Sequence, residues 1–175
     1  MTKTTNSTNR PPLSRERVLD AAVTIADEGG LGALTMRKLA GSLDVEAMSL
    51  YHHFANKDEI LDGIIDVAAG EIDLTDDGDW KSTTRRRAIS IRDTLVRHPW
   101  AGMLWVSRLN VGPARMRYMD TALRTFREAG LSEDLTHHAF HAVENHVDGY
   151  TWHPLSCAID TAKHDPLAES FLAEQ

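Results

Sequence analysis

"VEAMSLYHHFANKDEIL", residues 45–61, decides how this chain is read. The stretch changes character twice. An apolar-spaced turn gives way to Tyr51-His52-His53-Phe54, and then to Asn56-Lys57-Asp58-Glu59. The first part predicts a short helix over about 46–53, entered through a tight turn at Leu43-Asp44-Val45. The last part predicts a helix start. Asn56 and Glu59 stand at capping-box spacing, and Asp58 and Glu59 suit the positive end of a helix dipole. Ile60, Leu61, Ile64, Ile65, Ala68 and Ile72 supply that helix with a buried face. Lys57 therefore lies in the first turn of a capped helix and points past its N-terminus.

Working upstream, Ser14 caps a helix over about 15–28, with Leu13 and Val18 at hydrophobic-staple spacing. Val18, Leu19, Ala22, Ile25 and Ala26 make its apolar stripe, and Gly29-Gly30 is expected to end it. Thr35 caps a short helix over about 36–42. Two short helices joined by a tight turn, behind a longer packing helix, make a helix-turn-helix. In that motif the second short helix enters the major groove and presents its N-terminal side chains to base edges.

Downstream the pattern coarsens past the acidic spacer Thr75–Asp79. Helices are expected at about 80–97, 100–110, 113–129 and 132–153, with Pro154 stopping the last. Residues 155–166 read as a loop and Pro166–Ala173 as a helix cut short by the end of the chain. Strand signals are nearly absent. The fold class is all-α. A three-helix head (13–58) follows a polar tail (1–12), and a fourth helix joins the head to a helical body (59–175) that looks incomplete at its C-terminus.

The totals bound the function. The 175 residues suffice for a real core, and no run reaches the ~18 apolar residues of a membrane helix. The polar start lacks the apolar segment of a secretory signal. A single cysteine, Cys157, forbids an internal disulfide and fits a reducing cytoplasm. The net charge is −7, but it is unevenly placed. Residues 1–57 hold seven Lys/Arg against six Asp/Glu, and residues 58–175 twelve against twenty. A polyanion can be met by the head alone.

"LTMRKLAGSLDVEAMSLYHHFANKDEIL" resembles the DNA-binding head of TetR-family transcription regulators. The residues that carry the likeness are Thr35, Arg37, Leu39, Ala40, Val45, Leu50, Tyr51, His53, Phe54, Lys57 and Leu61. The chain departs from the pattern at Asp44, where glycine is usual, and at Glu46, where a serine cap is usual. Asp tolerates the left-handed conformation, and Glu complements the helix dipole. The resemblance implies a palindromic double-stranded DNA operator bound by a homodimer, and a small-molecule effector. The candidate DNA-binding residues are Thr35, Arg37, Glu46, Ala47, Met48, Tyr51, His52, His53 and Lys57. Arg37 can fork onto guanine or a phosphate, and Ala47 and Met48 suit thymine methyl groups. Tyr51 can reach a phosphate or base, and Lys57 with the adjacent helix N–H groups forms a phosphate site. His53 can equally be structural. Arg15 and Arg17 can touch the flanking backbone.

The body is rich in aromatics and methionines, which suit an apolar or aromatic ligand. Met103, Trp105, Met116, Phe140, His141 and Asn145 are its candidate effector contacts. Arg87 and Trp105 fall where tetracycline-binding members carry pocket polar groups, so the resemblance does not imply that drug. No cofactor and no enzymatic activity are expected. Five of nine histidines crowd into residues 137–153, and His137, His141, Glu144 and Asp148 share one helix face. That face admits three readings: a polar pocket lining, a seam between subunits, or a metal site serving a helical enzyme.

Overall fold

The structure, a computed structural model, describes residues 12–108 and 110–161. Among the described residues there are eight helices and no strand. The expected tail lies outside them except for Pro12, as does the expected helix at Pro166–Ala173.

The head forms as its caps dictate. α1 (Arg15–Ala33) starts at Ser14, whose Oγ accepts from the Arg17 N–H at 3.2 Å. Its stripe Val18, Ala22, Ile25 and Ala26 is buried. Gly30 breaks the helix as expected, at φ 70° and ψ 176°, a conformation open only to glycine. One further helical turn reaches Ala33 before the chain leaves through buried Leu34. α2 (Met36–Leu43) starts at Thr35, whose hydroxyl oxygen accepts from the Lys38 N–H at 3.1 Å. It ends at Asp44, the one non-glycine residue with positive φ among those described, at φ 52°. Asp44 thus takes the left-handed turn position in place of glycine.

α3 (Ala47–Leu50) is shorter than the sequence suggests. The Leu50 carbonyl accepts from both His53 and Phe54, which winds residues 51–53 into turns rather than a further helical turn. Glu46 makes no side-chain cap bond. α4 (Lys57–Gly70) follows at once. Asn56 Oδ1 accepts from the Glu59 N–H, and the Glu59 carboxylate reaches back to the Ala55 N–H at 2.7 Å. The capping box is therefore closed one residue further out than usual.

The body comprises α5 (Trp80–Arg97), α6 (Ala101–Ser107), α7 (Pro113–Glu128) and α8 (Glu133–Thr161). Asp79 caps α5 through bonds from the Lys81 and Ser82 N–H groups. α5, α7 and α8 pack on one another, and α4 lies against α1, α6 and α7. One continuous apolar core runs from Val18 and Leu39 in the head through Ile64 to Tyr118 and Phe140 in the body. Pro154 does not stop α8, which continues to Thr161 and replaces the expected loop over 155–161. Proline removes a single backbone bond. Packing through Phe140, Val147 and Thr151 has by then committed the helix.

Candidate functional site

The outer face of the head is held from behind. Leu50 and Phe54 are buried, while Ala47, Met48 and Tyr51 stand on the opposite side of α3. Met48 is 68 % exposed and Tyr51 47 %. Thr35, Arg37, Glu46 and His52 are also exposed, whereas His53 and Lys57 are half-buried. Thr35 is occupied as the cap of α2 but keeps its hydroxyl proton to donate. Lys57 is the first residue of α4, and among the described residues nothing pairs with it. The helix N-terminus and an unpaired ammonium coincide there, which makes an anion site.

Arg15 serves otherwise than the sequence suggests. Its guanidinium lies 4.2 Å from the Phe54 ring centroid, bonds Glu59 at 2.7 Å, and bonds the His53 carbonyl. It braces the turn between α3 and α4 while its side chain stays about half exposed. Arg17 donates to the Pro12 carbonyl at 2.9 Å. The Ala55 N–H and then Arg15 hold the Glu59 carboxyl below its usual range.

The same α4 is tied to the body by carboxylates one turn apart. Arg108, just past α6, bonds Asp62 and reaches Asp58 at 2.9 Å, and Asn110 bonds Asp62 at 2.9 Å. Burial works against ionised Asp62, but the bonds from Arg108 and Asn110 outweigh it and hold its carboxyl below the usual range. Asp66 accepts from the Ala114 N–H at 3.2 Å and the Arg115 N–H at 2.9 Å. It caps α7 from another helix, because Gly112 at the cap position has no side chain to do so. A Cβ on Gly112 would come within 2.3 Å of Asp66 Cγ, so only glycine admits this approach. Arg115 closes the link between α6 and α7. It lies 4.6 Å from the Trp105 ring centroid and bonds the Trp105 carbonyl at 2.6 Å. Elsewhere Asp27 of α1 accepts from Trp100 Nε1 at 2.6 Å and meets His98 Nδ1 at 2.7 Å.

Between α5, α7 and α8 lies a cavity walled by Thr84, Arg87, Tyr118, Phe126, Phe140 and Glu144. Its free volume is ≈ 10 Å³, about one water molecule. Of the six expected effector contacts only Phe140 is on its wall. Trp105 is buried one layer out, its ring edge-on to Tyr118 at 5.8 Å. Met103, Met116, His141 and Asn145 face outward, the two methionines 54 % and 55 % exposed. The buried stripe of α8 runs through Thr136, Phe140, Val147 and Thr151, and His141 and Asn145 lie off it. Arg87 was legible in principle: it interrupts the stripe Thr83, Ile91, Leu95 on α5.

Comparison with known proteins agrees with this architecture. The profile described as bacterial regulatory proteins, tetR family, matches residues 18–64, and that of the tetracyclin repressor-like C-terminal domain matches residues 73–175. The chain belongs to the TetR family. The HTH-type transcriptional repressor DrrR1 of Streptomyces coeruleorubidus is 35 % identical over 147 residues, covering 80 % of this chain and 53 % of the relative. The structure is similar to ActR of Streptomyces coelicolor bound to (S)-DNPA, with a TM-score of 0.77, 28 % identity, and coverage of 83 % of this chain and 73 % of that one. It is also similar to BioQ on its double-stranded DNA operator, with a TM-score of 0.73, 30 % identity, and coverage of 83 % and 89 %. The chain spans about half to three-fifths of the length of the first curated relatives it matches.

TetR membership also bears on the histidine-rich face. His137 and His141 are exposed with rings 4.4 Å apart, but Glu144 turns inward and takes the Tyr118 hydroxyl. Among the described residues no three His, Cys, Asp or Glu side chains are grouped to hold a metal. The metal-enzyme alternative built on His137, His141 and Glu144 is thus corrected: its three groups do not converge, and the family is one of DNA-binding regulators. No helix among the described residues is long and apolar enough to cross a membrane.

Proposed function

We propose that this TetR-family chain is a ligand-responsive one-component transcription repressor of the cytoplasm. Residues 13–58 bind DNA, and residues 59–175 bind a small-molecule effector and dimerise. As a homodimer it grips a palindromic operator, with two copies of α3 about 34–36 Å apart in successive major grooves. Arg37, Ala47, Met48 and Tyr51 meet bases or phosphates. Thr35, His52 and Lys57 position the backbone. Glu46 and His53 lie at the edge of the contact.

The observation that carries this reading is that one helix holds both ends of the device. α4 begins with Lys57, unpaired among the described residues, and continues through Asp58, Asp62 and Asp66, each bonded to the segment that follows α6. An effector that wedges α5, α7 and α8 apart must move that segment and so tilt α4. It can shift the balance only by its difference in affinity for the two conformers. The closed cavity supplies such a difference, because a ligand cannot enter without opening it. The names and complexes of the relatives support the same direction: DrrR1 is a repressor, BioQ is seen on an operator, and ActR with a small molecule.

The test is a mobility-shift assay on DNA upstream of the chain's own gene, at controlled salt, repeated with a small-molecule panel. A specific shift, reversed by one class of compound, is expected. Binding indifferent to DNA sequence, and no release by any compound, would sink the proposal.

A further inference from the structure

Arg87 is 4 % exposed. Its guanidinium makes two bonds, from Nη1 and Nη2, both at 3.3 Å and both to the single Thr125 hydroxyl oxygen. Among the described residues, Nε is buried with no partner. Thr125 in turn donates to the Thr121 carbonyl, so its hydroxyl is already engaged. Among the described residues no carboxylate forms an ion pair with Arg87. Thr84 Oγ1, on the same wall, is buried and has no bond among the described residues either.

The nearby acid does not fill the gap. Glu144 lines the same cavity but accepts the Tyr118 hydroxyl. Burial raises the carboxyl of Glu144 toward its neutral form. Burial likewise lowers the Arg87 guanidinium, as an uncompensated cation requires, though it stays charged at neutral pH. A guanidinium carries five donors, and a buried cation left short of acceptors is costly. Native proteins keep such a group where something else completes it. The remaining walls are mostly apolar: the rings of Tyr118, Phe126 and Phe140, with aliphatic Ile91 and Val143 between them.

Resting on the effector-site reading above, we infer that the effector is a planar aromatic carboxylate whose anionic group forks onto Arg87. A carboxylate matches the guanidinium with two parallel bonds, and the rings match the aromatic walls. Thr84 donates to the same anion. Glu144 opposite accepts a hydroxyl where the ligand has one.

The test is calorimetric titration of the full chain with 2-naphthoate and anthracene-2-carboxylate, each against its primary amide, which keeps shape and loses charge. The acids are expected to bind at least tenfold tighter than the amides and to release operator DNA. Arg87→Met should abolish that preference, and its unliganded form should melt no lower than the wild type, since an apolar side chain relieves the orphaned charge. A structural arginine would instead leave a variant that melts lower. Equal affinity of acid and amide for the wild type overturns the inference with no variant needed, as does a preference that survives Arg87→Met. If both forms bind equally, release DNA and are weakened by Phe140→Ala, the effector site stands and the carboxylate falls. If no probe binds, or binding ignores Phe140→Ala, both fall.

Discussion

Replacing Asp66 by alanine removes a helix cap that arrives from a different helix. Two N–H groups depend on it, those of Ala114 and Arg115, at the second and third positions of α7. Such donors have no partner within their own helix. Gly112 offers no side chain, and Pro113 has no N–H to lose. Ala114 is buried, so its N–H cannot turn to water in exchange. Loss of an N-cap costs about 1 kcal/mol, up to about 2 in proteins. Loss of a carboxylate at the positive end of α7 adds about 0.3–1 kcal/mol. Asp66→Ala should therefore destabilise the chain by roughly 1.5–3 kcal/mol, a sizeable share of the ~5–15 kcal/mol typical of a domain. Asp66→Asn keeps one acceptor and should cost about half as much. The assay is urea unfolding, read as a shift in midpoint at unchanged slope. Because Asp66 is remote from the exposed face of α3, the variant should bind operator normally without effector but respond less to it. A midpoint within about 0.5 kcal/mol of the wild type would refute the idea that α4 caps α7.

Tyr51→Ala and Lys57→Ala should each weaken operator binding by roughly 1–3 kcal/mol, and Lys57→Ala should also reduce the salt slope by about one, as measured by shift assays across a salt series. Asp62, with its folded carboxyl held below the usual range, contributes stability that is present above the unfolded value of about 3.9 and lost as pH falls through the folded one. Urea midpoints between about pH 3 and 7 should show a drop at the acid end that Asp62→Asn diminishes. Glu144 has the opposite sign: its raised carboxyl contributes stability below the unfolded value of about 4.3 that is lost as pH rises through the folded one. Glu144→Gln, which still accepts from Tyr118, should be at least as stable as the wild type at neutral pH, with the advantage gone near about pH 4 by thermal melts.

The head could be read from the chain because its signals are local. Ser14, Thr35 and Asn56 cap helices within three residues of themselves, and Asp44 turns the chain where a left-handed residue is needed. The end of α3 was less legible, since the two bonds to the Leu50 carbonyl depend on how Phe54 seats in the core. The body's contacts are not local at all. Asp62 meets Arg108, Asp66 meets Arg115 and Asp27 meets Trp100 across long stretches of chain. No spacing rule encodes such pairs. α8 misled for a related reason. Polar residues surround it, so composition could not say which side met α5, and Pro154 reads as a stop only if packing is ignored.

The Asp27 contact has a practical consequence for building hybrid regulators. Splicing a foreign head onto this body ahead of Asn56 would preserve every tie made by Asp58, Asp62 and Asp66. It would leave Trp100 Nε1 and His98 Nδ1 facing a residue chosen for a different neighbour. A donor scaffold with an acid at that position of its first helix would graft cleanly. One with an apolar residue there would strand two buried polar atoms at the junction.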